Sequence, residues 1–267
     1  MPLSLSEESY LASSLSLRPP CRPDGRDQHQ FRPLDASAGI LPATNGSARI
    51  RLCDGGECIV GIKAEVVESR KEDVALVEVQ CDIAGVQSNS PLHTFLCTTL
   101  ETALRNTLPA SRLSIIHRYT YKLFIDGIIL DHVSHPLTLF SMTVYLALLD
   151  TRLPKLIPSA DVASTTTSTS SSDQPIGLPQ FESDWQESVP LCDKAWSPPL
   201  VQLAVLAGKN VFVDPTGEEA GVGDGAIVVS WHQGKVVGLR TVNTRDSSKQ
   251  VFSASRDVTE ALTRVVS

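Results

Sequence analysis

The sequence has no C-x-x-C pair, no long apolar run and no surplus of positive charge, and each absence removes a class of protein. The six cysteines, Cys21, Cys53, Cys58, Cys81, Cys97 and Cys192, are scattered. Without paired spacing a disulfide or zinc reading is weak, and they read as buried apolar thiols in a reducing compartment. No stretch approaches the roughly 20 apolar residues that a membrane helix needs. Met1 to Tyr10 carries two acidic residues and no basic one before any apolar run, so no secretory signal is expected. Asp plus Glu outnumber Lys plus Arg by 30 to 23, a net charge of -7, which argues against holding nucleic acid by the overall field. Contact with any nucleic acid then requires a local basic strip or basic partners. Ala207-Gly208-Lys209 lacks the spacing of a P-loop, so nucleotide binding has no support.

What is present suffices for a sizeable core: 267 residues, 42% of them hydrophobic, in one large domain or two lobes. The patterning divides the chain into an N-terminal helix (1–20), a first lobe (21–157), a Ser/Thr/Pro-rich mobile insert (158–198) and a second lobe (199–267). Ser4 or Ser6 followed by Glu7 and Glu8 reads as a helix start, with Tyr10, Leu11 and Leu15 docking that helix on the body. Two strands lie between Ala48 and Glu68 around an Asp54-Gly55-Gly56 turn. A third has Val77, Val79, Cys81 and Ile83 alternating with Glu78, Gln80 and Asp82, the pattern of a half-buried strand. Pro91 to Leu108 has helical periodicity, and Leu113 to His117 reads as a short strand. The central unit follows: a mostly buried strand from Tyr119 to Leu130, a tight corner at Asp131 to His135, and a helix from Pro136.

Ser164 to Ser172 is entirely serine and threonine, and its surroundings to Pro199 are rich in Pro, Asp and Ser, so a linker without a core of its own is expected there. Strands return at Leu200–Leu206, Asn210–Val213, Ala226–Trp231 and Val236–Val242, and a closing helix spans Ser255–Val266. Strands with helices covering one side give an α+β fold of two sheet-and-helix lobes.

Taken singly, Arg22-Pro23-Asp24-Gly25-Arg26 reads as a surface turn flanked by solvated arginines. Taken with Arg32-Pro33-Leu34, Asn45-Gly46-Ser47-Ala48, Glu57-Cys58-Ile59-Val60-Gly61-Ile62 and Val213-Asp214-Pro215-Thr216-Gly217-Glu218-Glu219, in that order and spacing, it resembles the RNase PH family over nearly the whole chain outside the insert. Within that family the Ser134-His135-Pro136 corner and Leu153-Pro154-Lys155-Leu156 are similar to a ring subunit of the eukaryotic RNA exosome. The resemblance implies the RNase PH-like (ribosomal protein S5 domain 2-like) fold and a hetero-hexameric ring of RNase PH-like subunits with RNA threaded through it. It also implies S1/KH-type cap subunits and associated exoribonucleases as further partners, no membrane, and residence in nucleus, nucleolus and cytoplasm.

In phosphorolytic members a Gly-Gly-Thr-Arg loop at the strand-to-helix corner cradles inorganic phosphate, arginines of the preceding helix region hold RNA, and carboxylates of the second lobe assist. Phosphorolysis requires close backbone approach, hydroxyl donors and an arginine fork. Here the corner is His132-Val133-Ser134-His135, with valine where a glycine is needed and histidine where the arginine belongs. The expectation is a non-catalytic scaffold, with no catalytic residues, no cofactor and no metal. The alternative is an active phosphate-dependent 3′ exoribonuclease, rescued by Ser134 and His135 or by a neighbour's arginines. His132 and His135 lack a third ligand nearby in sequence, and Asp214 to Glu219 reads as a structural turn rather than a magnesium site. The candidates for RNA contact are Arg105, Arg112, Arg118 and Lys122, which would grip phosphates without reading bases.

Overall fold

The computed structural model describes residues 3–68, 76–88, 90–116, 119–157, 180–193 and 195–242. The expected closing helix, Ser255–Val266, lies outside the described residues.

The first sheet runs β1 (Leu34–Ala38), β2 (Gly46–Leu52), β3 (Glu57–Glu68), β6 (Tyr119–Asp131) and β4 (Val77–Ile83), with the short β5 (Ser114–Ile116) pairing onto β6. Neighbours are antiparallel except β4 and β6, which run parallel, with Val79 opposite Ile125 and Cys81 opposite Gly127. That parallel pair needs a crossover, which α2 (Pro91–Thr107) supplies, packed on β4. The edge strand β1 has no apolar alternation and escapes the sequence patterns; every one of its residues is exposed.

The second sheet has the order β10 (Asn210–Val213), β9 (Leu200–Ala207), β11 (Gly225–His232), β12 (Lys235–Val242), all antiparallel. Between the sheets lies α3 (Leu137–Asp150), which touches β2, β3 and β6 on one side and β9 on the other. Sequence periodicity gives α3 one apolar face, but Thr138, Ser141 and Thr143 on its other flank are buried too. The reason is hydrogen bonding. Where β9 extends past the end of β10, the Val201 N–H donates to Ser141 Oγ (2.7 Å) and the Leu203 N–H to Thr138 Oγ1 (3.2 Å), so two buried donors that lack a strand partner are satisfied by helix hydroxyls. The two lobes thereby share one hydrophobic cluster, in which Leu137, Phe140 and Val144 of α3 join Ile125 and Ile129 of β6 and Val201 and Leu203 of β9.

Two close approaches explain conspicuous glycines. A Cβ on Gly46 would lie 2.6 Å from Thr151 Cα and 2.7 Å from Ala147 O, so only glycine lets β2 pass the end of α3. A Cβ on Gly127 would overlap Phe140 Cε2, inside the space of the ring packed on β6 at that point.

Ser4 caps α1 (Leu5–Ser16) in a capping box with Glu7, and Leu11 and Leu15 are buried as expected. Tyr10 is not a docking residue: it is 78% exposed. The outer half of β6 is less buried than its run of isoleucines and leucines suggests, since Ile128 and Leu130 are about half exposed on the sheet's outer face. The coreless insert expected over 158–198 ends sooner. From Gln180 the chain is tied back: Phe181 bridges to Leu156, β8 (Val189–Pro190) pairs with β7 (Arg152–Leu153), and Leu191 and Trp196 enter the core. Its polar composition hid these few apolar anchors. Among the described residues no helix is long and apolar enough to cross a membrane.

Candidate functional site

β6 ends at Asp131, and five residues carry the chain to the start of α3, a geometry that offers free backbone N–H groups to an anion. In this chain two of those positions, Pro136 and Leu137, offer no free donor. Pro136 has no N–H. The Leu137 N–H donates to His135 Nδ1 (3.3 Å), so that nitrogen carries no proton. Burial, and secondarily the neighbouring His132, pushes the His135 pKa below its ordinary value, which keeps the ring uncharged. The imidazole packs edge-on against Phe95 of α2, with centroids 5.9 Å apart. Where the resemblance leads one to expect an arginine, this corner presents a neutral ring turned into the protein. Val133, 60% exposed, projects its branched side chain at the cleft in front of the corner.

The surface-turn reading of the Arg22–Arg32 segment is corrected by the structure: Arg22 and Arg32 are 3% and 6% exposed. Their partners sit some 190 residues away, out of reach of any local pattern. Arg32 Nε donates to Asp214 Oδ2 (2.9 Å) and its Nη2 to Asp214 Oδ1 (2.5 Å), a two-pronged fork. Its Nη1 donates to Asp54 (2.5 Å) and to Ser134 Oγ (2.8 Å). Arg26 Nη1 reaches Asp214 Oδ2 (3.2 Å) and its Nε reaches Asp24 (2.6 Å). Arg22 forms a second fork with Glu219 at 2.8 and 2.7 Å, beneath which Phe212 packs 5.7 Å from the guanidinium carbon. Asp214 sits at φ 50, a conformation aspartate tolerates better than most residues. Glu219 also closes the capping box with Thr216 that starts α4 (Gly217–Val222).

These contacts fix both the geometry and the charge of the cleft. Burial alone would raise the Asp214 pKa, but the hydrogen bonds and charge of Arg32, helped by Arg26, outweigh it and hold the carboxyl below its ordinary value. Burial would likewise ease the proton off Arg32, and Asp214 with Asp54 more than reverses that, pushing its pKa up. Three arginines (Arg22, Arg26, Arg32) face four carboxylates (Asp24, Asp54, Asp214, Glu219). The cluster is neutralised from within, and Ser134, the one hydroxyl of the corner, already accepts from Arg32. The arrangement locks the N-terminal segment, the corner and the second lobe together, and it has no surplus positive charge for an incoming phosphate.

The described candidates for RNA contact, Arg105, Arg112 and Lys122, are not gathered at this cleft. Arg105 pairs with Glu101 one turn earlier on α2 (2.5 Å) and keeps its side chain half exposed. Arg112 donates to Leu191 O (3.1 Å) and Asp193 (2.6 Å), which ties the 180–193 segment to the body. Lys122 pairs with Glu78 (2.7 Å) and lies over the Phe124 ring. Arg118 lies outside the described residues. The residues that sequence reasoning missed are Arg22, Arg26, Arg32 and Asp54. Their only signal was arginine recurring beside turn chemistry, matched by a late acidic run.

Two sheets sharing one long buried helix, with a strand-to-helix corner facing the N-terminal arginines, define the RNase PH type of fold. Residues 30–154 match the 3′ exoribonuclease family, domain 1 (RNase PH). The chain is 35% identical over 255 residues to the exosome complex component RRP42 of Saccharomyces cerevisiae, covering 94% of this chain and 90% of that one. It is 31% identical over 230 residues to the exosome complex component rrp42 of Schizosaccharomyces pombe, covering 83% and 76%. Among solved structures, the archaeal exosome core superposes with a TM-score of 0.68 at 20% identity, over 97% of this chain and 94% of that one. The Archaeoglobus fulgidus exosome with RNA bound to the active site gives the same TM-score and identity, over 97% and 95%. The chain belongs to the RNase PH family and, within it, to the RRP42-type exosome subunits.

Proposed function

We propose that the chain is a non-catalytic subunit of an exosome ring, shaping the channel through which RNA passes to nucleases housed in other subunits. The observation that carries this reading is the filled corner. Ser134 is held by Arg32, Arg32 is held by Asp214 and Asp54, and Val133 and neutral His135 replace the donors a phosphate needs. The partners are other RNase PH-like subunits in a hetero-hexameric ring, S1/KH-type cap subunits and associated exoribonucleases, with residence in nucleus, nucleolus and cytoplasm. Ile128 and Leu130 on the outer face of β6, and Val237 and Leu239 on the edge strand β12, are exposed apolar side chains suited to subunit contacts.

The chain alone, and then assembled with RNase PH-like neighbours, is incubated with RNA and inorganic phosphate. No nucleoside diphosphate release attributable to this subunit is expected. Release that disappears in the Ser134→Ala variant would establish the phosphorolytic alternative.

RNA contact by this subunit rests on Arg105 and Lys122, with Arg118 as the third member of the set. Exposed ion pairs such as Arg105–Glu101 contribute about 0–1 kcal/mol, so a cation can exchange its carboxylate for an RNA phosphate at little cost. Arg105→Ala combined with Lys122→Ala is expected to lower RNA crosslinking to this subunit in the assembled ring, more at low than at high salt. Unchanged crosslinking would remove these residues from the path.

A further inference from the structure

Away from the corner, three soft ligand atoms converge at the junction of β4 and α2. β4 turns Val79, Cys81 and Ile83 inward, and His93 and Cys97, four residues apart, lie on one face of α2. Cys81 Sγ and Cys97 Sγ are 3.7 Å apart, and Cys97 Sγ is 3.8 Å from His93 Nε2. All three donor atoms lie within 4.8 Å of one another. A tetrahedral ion with metal–sulfur bonds of about 2.3 Å and metal–nitrogen bonds of about 2.0–2.1 Å places its sulfurs roughly 3.8 Å apart and sulfur and nitrogen roughly 3.6 Å apart. The Sγ–Sγ and Sγ–Nε2 separations of 3.7 and 3.8 Å are close to those values before any movement. Hydrogen bonds account for each contact taken singly; the convergence of all three donor atoms within 4.8 Å is what fits a shared ion.

We propose that Cys81, His93 and Cys97 form a binding site for a zinc-class divalent cation, with water in the fourth position. Two thiolates and an imidazole favour zinc over magnesium or calcium, which take oxygen ligands. Cys81 and Cys97 are buried, 2% and 8% exposed, while His93 is half-buried near the start of α2, leaving an approach from solvent on its side. The turn that carries His93 is fixed because its backbone N–H donates to the capping Ser90 hydroxyl (3.1 Å). Binding exchanges two S–H bonds for two metal–sulfur bonds and releases two protons to solvent, with no change of oxidation state. The bound ion clamps the beginning of α2 to the edge strand β4. Sequence spacing conceals the site because one ligand comes from a strand and two from the following helix.

The test uses the full-length protein, reduced, stripped with a chelator and titrated with Co²⁺ as the probe. The expected result is one equivalent of Co²⁺ producing a thiolate-to-cobalt charge-transfer band and the visible bands of tetrahedral coordination. Zn²⁺ should abolish these bands by displacement, and two protons should be released per ion. His93→Ala removes a half-buried ligand outside the core and should weaken Co²⁺ binding by more than about 100-fold, since losing an outer-shell partner alone costs about 10–100-fold. Replacing the exposed Cys21 and Cys53 with serine should leave the spectrum unchanged. The proposal is overturned if the wild-type chain gives no such bands, if His93→Ala binds as well as wild type, or if the bands depend on Cys21 and Cys53.

Discussion

Asp214→Asn is expected to lower the stability of the fold by about 3–5 kcal/mol, the cost of removing one partner from a buried ion pair. The reason lies in what remains. Asparagine preserves the shape of the side chain and tolerates the left-handed backbone at φ 50, so strain is not the cause. What disappears is the charge that answers Arg32, which is 6% exposed and whose fork closes on both Asp214 oxygens. Arg26 loses its buried carboxylate at the same time. At about 2–4 °C per kcal/mol for a chain of this size, the melting temperature should fall by about 6–20 °C. Asp24→Asn is the internal comparison, because Asp24 is the more exposed partner of Arg26, and it should cost less than about 1 kcal/mol. Equal effects at the two positions would contradict the buried-network account.

The same network sets an acid limit. The Asp214 carboxyl is held below its ordinary pKa in the folded chain, so above about pH 3.9 it contributes its full stabilisation. That contribution is lost as pH falls from the unfolded value through the lowered folded one. His135 acts earlier and in the same direction. Its folded pKa is depressed by burial, so below about pH 6.5 the unfolded chain takes up the proton more readily than the folded one, and stability declines. Acid unfolding should therefore show an onset below about pH 6.5 that His135→Phe removes, followed by a steeper loss below about pH 4 that Asp214→Asn removes.

Phe140→Ala is expected to destabilise by about 3–5 kcal/mol, as truncation of a fully buried aromatic does. Phe140 belongs to the single cluster that joins the sheets, and its ring covers Gly127 on β6 directly below the corner. Gly127→Ala should cost about 1–3 kcal/mol, because the new methyl group enters the space of the ring. The two changes share that space, so the double variant should lose less than the sum of the singles, read from urea midpoints. Strict additivity would show that the ring and the glycine do not share the contact.

The buried ion network and the apolar core differ in how much of each a local pattern conveys. The core strands β2, β3, β4 and β6, the helices α2 and α3 and all four strands of the second sheet follow from apolar periodicity with ends within a few residues, because burial of one face imposes a period that the sequence must keep. The edge strand β1 buries nothing and keeps no period. The double-sided burial of α3 depended on hydroxyls that serve the backbone of β9, a partner some 60 residues on. The candidate site was half legible. The replacements at Val133 and His135 were visible in the corner itself. The arginines were not, since a buried guanidinium and a solvated one look alike until the carboxylate that neutralises it is brought in from the far end of the chain.

The most direct measurement is an orthophosphate titration of the purified chain, followed by ³¹P line broadening and by heat. With Ser134 occupied by Arg32 and the cluster neutralised by its own carboxylates, no saturable site is expected up to millimolar phosphate. A single saturable site that vanishes in Ser134→Ala would contradict the account and place a working phosphate seat at the corner.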